Sequence, residues 1–189
     1  MASVANYNLK KLIVLILLTG VLFSCKTGGV GRSFFSASNS EKKIANDLKF
    51  IDAIAEKNSG NYEKSIVLFE EILKSNDNSA PAYFELSKLY WQKRNNDKAI
   101  QHINSAVDLN PKNKWFINYK IELTKKLALY DDCEKTYKQR KKLFPSSTAY
   151  EIEFSEFYIN RKKYSEALKL YDGLESRIGI SHVININKF

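Results

Sequence analysis

With 189 residues and a formal charge of +9, from 30 basic against 21 acidic side chains, the chain is sized for one domain with a real core. Two cysteines and two histidines are too few for a disulfide framework or a histidine-cysteine metal cluster. A basic balance of this size does not by itself specify nucleic acid.

Lys10 and Lys11 precede an apolar run from Leu12 to Phe23, and small Ser24 closes it. Twelve helical residues reach about 18 Å at ~1.5 Å each, short of the roughly 30 Å of bilayer hydrocarbon. The order of charge, apolar run and small residue therefore predicts a signal peptide over residues 1–24 rather than a permanent span. Cys25 follows directly, and Leu22, Phe23, Ser24 and Cys25 resemble the lipobox of bacterial lipoproteins. That resemblance implies cleavage before Cys25 and acylation of its thiol and new amino group, so Cys25 is the expected lipidation site. It also implies an address: Lys26 stands where an aspartate would favour inner-membrane retention, which points to an outer-membrane anchor facing the periplasm of a Gram-negative bacterium. An ordinary signal with a chance cysteine is the weaker alternative, because a free thiol would then sit exposed in an oxidising compartment. Without residues 1–24 the chain keeps 28 basic and 21 acidic side chains, a formal +7. An exported chain of that charge meets envelope polyanions and acidic protein surfaces rather than nucleic acid.

Residues 25–39, CKTGGVGRSFFSASN, are rich in Gly, Ser and Thr and read as a flexible tether. Gly28, Gly29 and Gly31 lack the preceding strand and following Lys-Ser/Thr pair of a phosphate loop. Ser38 and Glu41 have the spacing of a capping box, which predicts the first helix from residue 40.

Beyond that point the chain is one unit written four times. NYEKSI at 61, NNDKAI at 95, LYDDCE at 129 and KYSEAL at 163 stand 34 residues apart, as do Phe69, Ile103, Tyr137 and Tyr171, and then Asp77, Pro111, Pro145 and Gly179. The phasing predicts helices over 40–58, 62–75, 80–94, 96–109, 114–128, 130–143, 148–161 and 164–177. A period of 34 with two helices and a terminal proline resembles the tetratricopeptide repeat (TPR). The clearest copy spans residues 80–113. There Tyr83, Leu86, Ser87 and Tyr90 on the first helix, and Ala99, Ile103, Ala106 and Pro111 on the second, fill the family's pattern. The resemblance implies an all-α fold, a right-handed α-solenoid of about four repeats (46–79, 80–113, 114–147, 148–181) within a domain of residues 40–181. Residues 182–189 are then a short tail, or the start of a truncated further repeat. Lys49, Asp52 and Glu56 in the first copy suit a helix with one solvated face. Lys120 and Arg140 in the third occupy usual core places, so either that repeat packs in a shifted way or their heads reach solvent. Cys133 replaces the usual alanine and reads as a small buried hydrophobe.

No nucleophile with an adjacent base, metal spacing or cofactor fingerprint is recognisable. The expectation is a non-enzymatic chain with no catalytic residues, metal, cofactor or small-molecule substrate. Its function is then binding, and the TPR resemblance implies the concave face, lined by the first helix of each repeat. Carried onto this chain, the stripe is Phe50 and Ile54, then Phe84, Lys88 and Trp91, then Trp115, Asn118 and Lys125, then Ile152 and Ile159. Phe50, Ile54 and Glu85 replace the polar residues of the family's carboxylate clamp, which excludes that activity. An aromatic stripe with scattered lysines suits an extended or helical segment of a protein partner, anchored by Trp91 and Trp115. Packing between helices is the alternative role for Phe50 and Phe84. The expected function is an adaptor or scaffold for an envelope protein, held to the membrane by its lipid anchor. The alternative is an accessory module for peptidoglycan or lipopolysaccharide, using the basic run Lys135, Lys138, Arg140, Lys141 and Lys142. Lysines near a helix C-terminus also complement its dipole.

Overall fold

The computed structural model describes the backbone of residues 30–179 and the side chains of residues 40–179. Residues 1–29, with the signal and Cys25, and residues 180–189, with the tail, lie outside the described residues. The chain divides into two units, Met1–Asp47 and Leu48–Phe189. In the first, the described backbone is the opening part of one long helix, α1 (Val30–Asn58), on which Ile44 is exposed. The helix starts ten residues ahead of the expected 40, so residues 30–39 are helical rather than a tether. The physical reason is the lack of a breaker: no glycine or proline occurs between Gly31 and Gly60, and a serine tolerates a helix interior at small cost.

In the second unit the end of α1 is followed by α2 (Tyr62–Ser75), α3 (Ala80–Gln92), α4 (Asn96–Leu109), α5 (Lys114–Lys126), α6 (Tyr130–Leu143), α7 (Thr148–Asn160) and α8 (Tyr164–Ile178). All described elements are helices, and the architecture is an all-α TPR-type solenoid. Local chemistry marks the ends of several of them. Asn95 accepts from the Lys98 amide at the head of α4, and Asn113 accepts from the Trp115 and Phe116 amides at the head of α5. Asp131 and Asp132 open α6, while Arg140, Lys141 and Lys142 close it, as the helix dipole favours.

The turns within successive helix pairs are alike. Gly60, Arg94, Ala128 and Lys162 all have positive φ, between 55° and 82°. The amide after each reaches back five residues (Asn61 to Glu56, Asn95 to Tyr90, Leu129 to Thr124, Lys163 to Tyr158), and its own amide reaches back three. This Schellman geometry satisfies the last carbonyls of α1, α3, α5 and α7. It also explains why α3, α5 and α7 end one or two residues before the expected 94, 128 and 161.

Close approach of paired helices is made at small side chains. Ser65 on α2 donates to the Ala53 carbonyl on α1 at 2.7 Å, Ser87 on α3 donates to the Ala99 carbonyl on α4 at 2.7 Å, and the Cys133 thiol on α6 lies 3.8 Å from the Ile121 carbonyl on α5. Ile121 stands where the other pairs have Ala53, Ser87 and Ser155, and α5 and α6 approach along less of their length than α3 and α4 do. One core runs through α1–α5 around Phe69, Leu86, Leu89 and Ile103, and a second through α5–α8 around Tyr137, Phe154 and Phe157. Helix α5 serves both, giving Phe116 and Leu123 to the first and Ile117 and Ile121 to the second.

Arg140 departs from the expectation of a head in solvent. It is 1% exposed, donates to Asn118 at 2.9 Å and to Glu153 at 2.7 Å, and lies over the rings of Tyr150 and Tyr137. Pairing rather than snorkelling is what makes a buried guanidinium tolerable. Lys49 and Glu56 are likewise engaged, with Glu71 and with Lys64 and Asn61 respectively. Cys133 is buried, and burial pushes its thiol pKa up.

Candidate partner-binding face

The ten stripe residues fall on α1, α3, α5 and α7, but their side chains have different fates. Phe50 meets the Phe69 ring edge-on at 5.2 Å, and Ile54 packs on the first core. Phe84 lies between Phe116 and Tyr119, with ring centroids at 4.8 and 5.3 Å. Ile152 and Ile159 pack against Tyr171 and Leu174. These five are part of the stacking between helices. The aromatic residue that remains available is Trp115, 79% exposed at the start of α5. Helical spacing puts Asn118 and Lys125 on its face of α5, and both residues are exposed, although the Asn118 carbonyl oxygen is already held by Arg140. Trp91 is half-buried at the end of α3, where it lines a cleft of about 410 Å³ with Gln92, Arg94 and Asn96.

One turn before Trp91 sits an ionic group on α3. Glu85 accepts from Lys57 of α1 at 2.7 Å and from Lys88 of its own helix, and the Lys88 ammonium lies 4.5 Å above the Phe84 ring. Lys88 is thus a positioned cation, tied by a carboxylate on one side and a ring face on the other. Sequence spacing does not reveal Glu85 as the acceptor, because Lys57 is 28 residues away. Beside Phe84, burial pushes the Tyr119 hydroxyl up to about 12, so it stays neutral.

A second cleft, of about 480 Å³, lies at the α5–α6 turn between Leu129, Tyr130, Asp131 and Arg161, whose guanidinium stands 3.7 Å above the Tyr130 ring. The stripe does not include it, because its lining comes from the first turn of α6 and the turns beside it rather than from the first helix of each pair.

The basic run of α6 is largely engaged by carboxylates of the chain itself, Arg140 inside the fold and the lysines at its surface. Lys135 pairs with Asp132, Lys138 with Glu134, Arg140 with Glu153 and Lys141 with Glu151. Lys138 first, then Lys163 and the Tyr158 hydroxyl, hold the Glu134 carboxyl down at about 2. A polyanion would have to compete with these carboxylates. Among the described residues no three His, Cys, Asp or Glu side chains converge as a metal site requires.

Residues 58–116 match the Tetratricopeptide repeat family. No curated protein matches the chain. Solved structures of similar fold include Naa15/Naa10 bound to HypK-THB (TM-score 0.63, 18% identity, 80% of this chain and 23% of that one). A tetratricopeptide repeat protein from Parabacteroides merdae aligns with a TM-score of 0.55 at 14% identity over 76% of this chain and 56% of its own. YrrB, described as a TPR protein with an unusual peptide-binding site, aligns at 0.56 and 16% identity over 82% and 79%. The chain thus spans about a quarter and about half of the first two. At these identities the likeness is one of fold. That fold is typically a non-catalytic scaffold for protein–protein interaction.

Proposed function

We propose that this chain is a lipid-anchored adaptor of the bacterial envelope that grips a segment of a protein partner on the face carrying Trp115. The observation that carries the reading is Trp115 itself. A large aromatic side chain left 79% exposed, in line with Lys125 and followed along the stripe by the half-exposed Trp91 and Lys88, has the make-up of an interface anchor with a polar rim. The peptide-binding site of YrrB, and the Naa15/Naa10 structure bound to HypK-THB, support a protein ligand. Because Phe50, Ile54, Phe84, Ile152 and Ile159 are committed to packing, and Trp91 packs on the first core with one side while lining a cleft with the other, the partner contacts in this reading narrow to Trp115, Lys88, Asn118 and Lys125, with the open edge of Trp91.

The anchor is proposed on Cys25, from its place after the Leu22-Phe23-Ser24 lipobox-like run, and the outer-membrane, periplasm-facing address on Lys26. Two measurements test the whole. A photo-crosslinking residue at position 115 should capture one dominant envelope protein, and Lys125→Glu should weaken that capture. Crosslinks spread over many unrelated proteins would remove the groove reading. Cys25→Ser should abolish labelling by a fatty-acid analogue and release the chain from membranes, and unchanged membrane attachment would remove the anchor.

A further inference from the structure

We infer that a second docking surface lies on the first described helix: the α1 face of Leu48, Ile51 and Ala55, which takes an amphipathic helix of another protein bringing a lysine or arginine to Asp52. Leu48, Ile51 and Ala55 recur one 34-residue step on as Ala82, Glu85 and Leu89 of α3, and two steps on as Phe116, Tyr119 and Leu123 of α5. In those later helices the preceding pair covers these positions. Phe116 and Tyr119 meet the Phe84 ring, Glu85 receives Lys57, and Ala82 and Leu89 are fully buried. On α1 the same positions are open, with Leu48 58% and Ile51 62% exposed and Ala55 also exposed. The face therefore has the shape that this chain itself uses for stacking a helix.

Asp52 decides the chemistry of the occupant. It stands in register with Leu86, Lys120 and Phe154, of which Leu86 and Phe154 are 0% and 3% exposed and Lys120 is half-buried, so a helix seated here would take much of its carboxylate out of water. Among the described residues Asp52 has no ion pair, and its neighbours cannot supply one, since Lys49 is bound to Glu71 and Lys57 to Glu85. Burying an unpaired carboxylate costs more than a few apolar contacts return. The occupant must therefore carry its own cation. The chain's internal junctions do the same: Lys57 crosses from α1 to Glu85 on α3, and Arg140 crosses from α6 to Glu153 on α7. Charge also argues against a second copy docked through the same face, because two such faces would bring Asp52 against Asp52.

The test uses the full chain in phosphatidylcholine nanodiscs and a fluorescent synthetic peptide of about twenty residues, with a leucine seam and one central flanking lysine. Its twin carries norleucine in place of the lysine, and empty nanodiscs give the background. The lysine peptide should bind, and the norleucine twin should bind about tenfold more weakly or worse, as expected for loss of a charge-assisted hydrogen bond. Leu48→Ser with Ile51→Ser should abolish binding while the circular dichroism spectrum stays helical, and Asp52→Asn should make the two peptides equal. Equal binding of both peptides to the unaltered chain overturns the inference, as does no binding at all. Loss of binding in Trp115→Ala but not in the Leu48→Ser, Ile51→Ser chain places the peptide on the other face and overturns it too. A protein that is dimeric without peptide and becomes monomeric in the double variant assigns the face to a second copy, which also refutes it.

Discussion

Three of the four intra-pair turns place a residue other than glycine in the left-handed region: Arg94 at φ 59°, Ala128 at 55° and Lys162 at 57°. An L-residue there costs roughly 1–2 kcal/mol, whereas glycine pays roughly 0.5–1 kcal/mol in extra unfolded-state entropy. Each replacement by glycine should thus gain about 0.5–1 kcal/mol. Ala128→Gly is the cleanest, since it removes only a methyl group. The turns are separate, so the triple variant should gain about 2 kcal/mol, near 5 °C in Tm for a chain of this size. The reverse change checks the cause. A Cβ built on Gly60 meets nothing within 4 Å, so the loss of about 1 kcal/mol expected for Gly60→Ala is conformational rather than steric. Urea titrations and thermal melts by circular dichroism measure both. A triple-glycine chain that melts at or below the original temperature, with Gly60→Ala neutral, would show that the turns do not hold the strain described.

Arg140→Ala should lower stability by about 3 kcal/mol in urea titration, because it opens space beside Tyr137 and Tyr150 and leaves Glu153 and Asn118 without their donor. Arg140→Met, which refills the volume, should cost clearly less, and equal losses would argue against the pairing. Glu134 has a folded pKa of about 2, below its ordinary 4.5, so its contribution is fully present above pH 4.5 and lost as pH falls toward 2. The exposure of Lys138 and Lys163 screens that contribution to about 1–2 kcal/mol, and Glu134→Gln should flatten stability across this window. Cys133 is buried and its thiol is pushed up. In a Cys25→Ser chain, Ellman's reagent at pH 8 should therefore find it unreactive until urea unfolds the protein.

The 34-residue step was legible because each helix pair repeats the same four demands: a stop, a small residue at the crossing, large residues between pairs, and a second stop. Seven of the eight helices follow from it to within two residues. The start of α1 did not, because a serine-rich segment contains nothing that forbids a helix and nothing that demands one. For the candidate face, spacing located the right helices but could not separate exposed from packed aromatics. Phe84 and Trp115 belong to the same stripe, yet only Phe84 has rings from the next helix pair waiting for it at Phe116 and Tyr119. Arg140 was unreadable for a related reason: its acceptors Asn118 and Glu153 lie 22 and 13 residues away, and no local pattern links them.

The junction between α6 and α7 differs in kind from the others. Their backbones approach one another less than those of any other successive pair of helices from α3 onward, and the link is made by side chains: the Tyr137 ring stacks on Phe154 at 4.9 Å and meets Phe157, while Arg140 reaches Glu153 and Lys141 reaches Glu151. Arg177 of α8 joins Glu151 and also reaches the Pro145 carbonyl. Partly exposed ion pairs weaken as salt shortens the Debye length, about 8 Å at physiological strength, whereas the hydroxyl bonds at Ser65 and Ser87 sit in the core and do not. The last pair is therefore seated by an aromatic stack that salt leaves untouched, with a rim of ion pairs around it that salt loosens.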